Sequence, residues 1–251
     1  RAEELATLVS DRLEITGDTR LIADGNVTVF YKGRRLSAAR IVYDQASGRL
    51  EITGPITLTE EDGRIVILAS QAEIDADLGE GILTSARMVL DQQLTIAAEQ
   101  LMRMGRGRTV LETVAASSCK VCKANPVPLW EVRARRVTHD EAEQELTFDH
   151  AQLRLAGVPV FYIPRLRMPD PTKTRATGFL SPSLRTTSEL GTGLKIPYFI
   201  TLGRSADVTL TPYFTTGGSR TIELGYRQAF ATGYLALTGA ASRDHLVPGN
   251  R

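Results

Sequence analysis

Residues 158–182 read VPVFYIPRLRMPDPTKTRATGFLSP, and this stretch divides the chain. Its first six residues, Val158 to Ile163, form an apolar run suited to ending a buried strand. Pro164, Pro169, Pro171 and Pro182 follow. Each proline removes a backbone donor and pushes the residue before it out of helix. No helix and no central sheet strand is expected to cross here. Arg165, Arg167, Lys173 and Arg175 sit among the prolines, with Asp170 the only acid. The stretch predicts an extended basic connector, residues 165–176, between one β-region at 1–164 and another at 177–251.

Upstream of the connector the sequence repeats. Arg12-Leu13-Glu14-Ile15-Thr16-Gly17 recurs letter for letter as Arg49-Leu50-Glu51-Ile52-Thr53-Gly54. One gap-free shift sets Ala39, Ile41, Asp44, Gly48 and Leu50 on Ala72, Ile74, Asp77, Gly81 and Leu83. A larger shift sets Ala38, Arg40, Ile41, Asp44, Leu50 and Ile52 on Ala134, Arg136, Val137, Asp140, Leu146 and Phe148. Each unit reads as strand, acidic turn, strand, a hairpin that cannot bury a face alone and must stack.

Alternation of apolar and polar residues supports strands. Val27, Val29 and Tyr31 fall on one face; so do Ala39, Ile41 and Tyr43, then Leu94, Ile96 and Ala98, then Trp130, Val132 and Ala134. Turns are expected at Asp24-Gly25-Asn26, Lys32-Gly33, Glu61-Asp62-Gly63, Gly79-Glu80-Gly81 and 140–144. Gly105-Arg106-Gly107-Arg108 reads as a basic turn, since no helix pattern follows it. Two readings of the inward faces stand side by side. They are a plain aliphatic core, or the lining of an incompletely closed sandwich that holds a long apolar ligand.

The chain has 251 residues, 42% hydrophobic and 24% charged, with a net charge of +1. That balance offers no global field for nucleic acid. No apolar run is long enough for a membrane helix, which leaves membrane strands open. The chain starts at Arg1 without an apolar leader and is expected to be a processed or truncated piece. Cys119-Lys120-Val121-Cys122 is a lone C-x2-C followed by Pro126 and Pro128. A zinc site lacks partners, since His139, His150 and His245 have no matching spacing. A redox pair lacks its helix. What remains is a disulfide, within the pair or to a partner. No cofactor, metal or catalytic constellation is expected.

Downstream, strands are expected at 177–186, 190–200, 206–215, 220–230 and 232–242, joined by tight turns as an up-and-down meander. Val208, Leu210, Pro212 and Phe214 share a face opposite Thr209, Thr211 and Tyr213. A membrane barrel needs such a two-faced strand, and a half-exposed soluble sheet shows it too. So few strands leave open edges, which points to the start of a larger barrel. Pro182 and Pro197 fall in the first two strands and remove ladder donors there.

The repeats resemble the OstA-type repeats of lipopolysaccharide-transport proteins. Gly157 to Pro164 (GVPVFYIP), then Gly178 to Pro182 (GFLSP), is similar to the junction found in the lipopolysaccharide-assembly members of that family, as are Ser118-Cys119 and Leu129-Trp130-Glu131-Val132. The resemblance implies a periplasmic β-jellyroll followed by an outer-membrane β-barrel, here truncated, and no enzyme. It implies that the jellyroll receives lipopolysaccharide from a periplasmic bridge protein by edge-strand pairing. The lipid would leave through a lateral gate between the barrel's first and last strands, and a plug lipoprotein would fill the barrel. Gate prolines would be Pro182 and Pro197. The apolar lining would comprise Val27, Val29, Ile41, Tyr43, Ile52, Ile56, Leu58, Ile74, Leu83, Trp130, Val132, Val137 and Phe148. Arg165, Arg167, Lys173 and Arg175 would meet anionic sugar or phosphate. In the family, jellyroll cysteines pair with distant barrel cysteines; Cys119 matches such a position and Cys122 is an extra neighbour, so the pairing stays open. A periplasmic lipid bridge or a strand-pairing scaffold is the alternative reading.

Overall fold

The computed structural model describes residues 6–17, 19–105, 107–118, 127–173, 175–180, 182–188 and 190–243, and every regular element in them is a β-strand. The chain divides into two units, Arg1–Thr172 and Lys173–Arg251. The first holds β1 (Thr7–Val9), β2 (Arg12–Thr16), β3 (Arg20–Tyr31), β4 (Arg34–Asp44), β5 (Arg49–Thr59) and β6 (Ile65–Asp75). It continues with β7 (Glu80–Leu90), β8 (Leu94–Met104), β9 (Arg108–Ser117), β10 (Trp130–Asp140), β11 (Glu145–Leu155) and β12 (Val158–Pro169). These form one 12-stranded antiparallel sheet. From β3 to β12 each strand pairs with the next, while β1 and β2 share the outer side of β3.

The repeat survives at the level of turn chemistry. Asp44 Oδ1 accepts the Ala46 and Ser47 amides at 2.9 and 3.4 Å, and Asp140 Oδ1 accepts those of Ala142 and Glu143 at 3.1 and 3.2 Å. Both are side-chain-closed turns, and each starts one hairpin of the repeat. At the β3–β4 connection, Lys32 and Gly33 both take positive φ (48° and 73°), the conformation of a two-residue hairpin loop.

The long strands inside this sheet are bent rather than straight. β6 buries Ile65, Ile67 and Ala69, then Ala72 and Ile74, with Ser70 and Gln71 both exposed between them. β8 buries Leu94, Ile96 and Ala98, then Leu101, around exposed Glu99 and Gln100. β10 buries Trp130, Val132 and Ala134, then Val137, around exposed Arg135 and Arg136. Strand side chains alternate, so two outward neighbours in a row switch the inward parity. Both halves then reach a common core only because the sheet folds over along this line. The line is marked by left-handed backbone at Asn26, Ser85, Thr113 and His150 (φ 45° to 56°). Asp24-Gly25-Asn26, expected as a turn, is such a place inside β3, where the register to β4 slips between Asp24 and Val27. Ala39 is exposed for the same reason, although alternation puts it with buried Ile41. The two layers enclose one cluster of buried apolar residues from Ala23 to Ala151.

The connector begins later than the prolines predict. Val158–Pro169 is one strand, so Arg165 and Arg167 belong to β12, paired to β11 at Asp149 and Thr147. Among the described residues β12 pairs with β11 alone and is an edge strand, where missing donors face outward and proline is tolerated. Nor does Val158–Ile163 end a buried strand: Val158, Val160, Phe161 and Tyr162 are exposed. The first unit accordingly extends to Thr172.

The second unit holds β13 (Gly178–Phe179), β14 (Ser183–Thr187), β15 (Gly191–Lys195), β16 (Tyr198–Leu202), β17 (Ala206–Thr215), β18 (Arg220–Phe230) and β19 (Gly233–Arg243) in a 7-stranded antiparallel sheet. The strands expected at 177–186 and 190–200 are each split in two. β13 pairs with β16, β14 with β15, and β17 with both β15 and β16, so the meander order is kept. Proline explains the split. The Leu180 amide donates to the Pro197 carbonyl at 2.9 Å, and Pro197 has no N–H to return. The Ile196 amide donates to the Pro212 carbonyl at 3.2 Å, and again no return bond exists. Pro182 lies in the gap between β13 and β14.

Candidate functional site

The interior of the first unit is the candidate site. Of the predicted lining, Val27, Val29, Ile41, Ile52, Ile56, Leu58, Ile74, Leu83, Trp130, Val132, Val137 and Phe148 are buried at 0–9% exposure, in one cluster. Tyr43 is half-buried at the end of β4. Aliphatic side chains dominate this interior, with Phe148 and Trp130 its only buried six-membered aromatic rings among the described residues. The aliphatic side chains offer a ligand dispersion contact rather than hydrogen bonds.

Charged residues gather where the two layers meet on the side away from the bend. The strands are 11 residues long for β5 to β8, so a flat sheet would hold their two ends roughly 35 Å apart. Yet Tyr31, at the end of β3, donates its hydroxyl to Asp77 Oδ1 in the β6–β7 turn at 2.6 Å. Lys32 Nζ lies 3.4 Å from the same oxygen, and Arg34 Nη1 donates to the Asp77 carbonyl at 3.2 Å. Glu60, just after β5, takes Arg34 Nε at 2.7 Å and Arg103 Nη1, near the end of β8, at 2.6 Å. Arg64, before β6, donates to the Thr172 carbonyl beyond β12. Every one of these bonds except Arg34–Glu60 joins opposite strand ends, two or more strands apart in sheet order. Tyr31 and Lys32 hold the Asp77 carboxyl below its ordinary range, by hydrogen bond first and by charge second.

A second buried polar contact closes the far end. His139 Nε2 lies 2.5 Å from Asp170 Oδ2, both side chains nearly inaccessible, and Asp170 Oδ1 accepts the Thr172 amide at 2.7 Å. Burial opposes ionisation of Asp170, but the bonds from His139 and Thr172 outweigh it and leave its carboxyl below the usual range. His139 Nδ1 has no partner among the described residues. Sequence reading missed both polar sets. Arg34, Glu60 and Arg103 lie far apart in the chain and match no spacing. His139 alternates with Val137, the one local sign that its side chain faces inward.

The four connector cations are divided between the two units. Arg165 pairs with Asp149 at 2.8 Å and Arg167 with Glu145 at 3.8 Å, both across the β11–β12 ladder. Arg165 also borders a surface cavity of about 780 Å³ with Glu112, Arg135, Arg136 and His150. Arg175 bonds to the Arg204 and Ala206 carbonyls within the second unit. Lys173 is the first residue of that unit. Cys119 and Cys122 lie outside the described residues.

In the second unit, register places Tyr198, Leu210 and Leu224 side by side across β16, β17 and β18, and Val208 beside Tyr226 and Leu237 across β17 to β19. Leu210, Phe214, Ile222, Leu224 and Leu237 on this face are exposed. The opposite face carries Lys195–Glu223 at 2.5 Å and Arg227–Asp207 at 2.8 Å. No helix among the described residues is long and apolar enough to cross a membrane.

The chain is thus an all-β protein of two antiparallel sheets, one folded around an aliphatic interior and one with an apolar and a polar face. Among known proteins it is similar to the LPS-assembly proteins LptD. It is 28% identical over 206 residues to that of Nitrosococcus oceani, covering 82% of this chain and 27% of the relative. It is 24% identical over 217 residues to that of Idiomarina loihiensis (86% and 28%), and 27% identical over 210 residues to that of Shewanella oneidensis (83% and 26%). The resemblance read from the sequence is borne out, and the chain spans about a quarter of the length of these relatives. No family model matches. A solved structure of LptH, described as a periplasmic component of the lipopolysaccharide transport device of Pseudomonas aeruginosa, is 11% identical and covers 67% of this chain and 96% of its own. Its TM-score against this chain is 0.24.

Proposed function

We propose that this chain takes part in transporting lipopolysaccharide to the outer membrane. Its first unit would stand in the periplasm as a jellyroll that accepts the acyl chains. Its second would be the first strands of an outer-membrane barrel with a lateral gate at Pro182 and Pro197. The carrying observation is similarity to LPS-assembly proteins over 82–86% of the chain, across both units. The aliphatic interior supports it, since branched alkyl side chains match acyl chains in polarity. The edge at β1 and β2, unpaired on its outer side among the described residues and with Val9, Leu13 and Ile15 exposed, supports strand pairing with a periplasmic bridge partner. A plug lipoprotein within the completed barrel belongs to the same reading. Photo-crosslinkers in place of Ile41 or Ile74 test it: lipopolysaccharide adducts are expected in cells with active transport. Adducts at neither position would sink the lipid-lining role.

A second reading, a strand-pairing scaffold that binds no lipid, is favoured by one observation. Side chains such as Leu36, Ile67, Met88 and Ile96 are at 0% exposure, so the interior is packed shut as it stands. The same crosslinking experiment separates the two readings.

A further inference from the structure

An amphiphile with a large polar head cannot pass whole through a dry aliphatic interior, because unpaired polar groups are costly to bury. Its acyl chains can lie inside only if its head stays outside, through an opening along the length of the sandwich. On the bent side no such opening is available: β3 to β12 run across it as one hydrogen-bonded ladder. On the opposite side the two layers meet through side chains. The contacts there are Tyr31 and Lys32 to Asp77, Arg34 to the Asp77 carbonyl, Glu60 to Arg103 and Arg64 to the Thr172 carbonyl.

Their chemistry is unusual for a stabilising contact. Arg103 and Glu60 have side chains only 5% and 9% exposed, and Arg103 Nε has no partner among the described residues. A buried ion pair is weak evidence for stability, since well-packed apolar residues often do as well or better. It does give a contact that parts along one plane and re-forms with the same partners. An apolar seam here would instead be continuous with the interior.

We propose that this row is a latch, holding the folded sheet shut along its mouth and parting to admit the acyl chains of an anionic amphiphile sideways. The proposal rests on the lipid-transport reading. The Lys32–Asp77 pair is the accessible part of the latch, with side chains 47% and 66% exposed. It can be altered without touching the interior.

The test places p-benzoylphenylalanine at Ile74 in the natural protein and irradiates it with added lipopolysaccharide. Asp77→Lys sets like charges against each other, and the Lys32→Glu/Asp77→Lys pair restores attraction. A surface pair of this kind is worth enough to change the open population by about two- to fivefold. Adduct yield should rise by that factor in Asp77→Lys and fall back in the swap. Tyr31→Phe, which removes one hydroxyl, should raise it more modestly. Melting temperatures taken alongside separate opening from unfolding: a yield that merely follows stability overturns the latch. So does wild-type adduct unchanged by any variant. Absence of adduct in the wild type and in every variant overturns the transport reading, and the latch with it.

Discussion

Single side chains in the folded sheet carry unequal weight, and the bend decides which. Phe148 is 1% exposed and sits two residues before the bend at His150. Phe148→Ala should cost about 3–5 kcal/mol through lost transfer and an unfilled cavity, read as a shifted urea midpoint. Ala39, on the outer side of the bend, should accept Ser with a change within about 0.5 kcal/mol. Asp170 makes a prediction about acid. Its folded carboxyl lies below the ordinary range, so its stabilising contribution is present above the unfolded value. That contribution is lost as pH falls through the folded value. Urea midpoints measured downward from neutral pH should decline steeply only once pH is below the usual carboxylate range. Asp170→Asn should be less stable by about 1.5–3 kcal/mol at neutral pH, because it weakens the hydrogen bonds that the buried carboxylate accepts, and its decline in acid should be shallower. Equal acid profiles for both proteins would remove Asp170 from the account.

At the scale of elements, β13 and β16 form a seam in the second unit that proline keeps weak. Pro197 cannot return the bond that the Leu180 amide gives its carbonyl. Pro197→Ala would allow that return bond, worth about 0.5–1.5 kcal/mol net. Hydrogen exchange at Leu180 should slow several-fold, and lipid export should fall if a gate bordered by β13 needs that strand weakly paired. Unchanged exchange would mean that the split has another cause. Pro182 and Pro197 were legible in sequence as ladder-breakers because a missing donor is a local property. The bend was not. It needs two adjacent outward residues, as at Arg135-Arg136, and such pairs are invisible to a search for strict alternation. The connector was misplaced for a related reason. Three prolines in Val158–Pro169 argue against a central strand, and β12 is an edge strand whose outer side has no partner to lose. The turn acids Asp44 and Asp140 were found through the repeat, since Asx-closed turns are encoded within a few residues.

For the whole molecule, the distribution of core is the decisive fact. The buried apolar cluster lies wholly within the first unit. The second unit has a sheet with Leu210, Phe214, Ile222, Leu224 and Leu237 exposed on one face, and its last strand, β19, is exposed at every residue. A sheet with no second layer cannot bury its apolar face in water, and an exposed edge of this length pairs with whatever it meets. A bilayer removes the first problem and further strands remove the second. Residues 1–172 alone, whose apolar face is covered, should therefore dissolve in buffer without detergent and unfold in one cooperative transition. The whole chain should need detergent to do so. Adding lipid vesicles should protect the amides of β17 and β18 from exchange while leaving those of β5 to β8 unchanged. If the whole chain is instead monodisperse without detergent, and vesicles change no exchange rate, the apolar face is covered by protein. The reading of residues 177–251 as membrane strands then falls, and the strand-pairing scaffold takes its place.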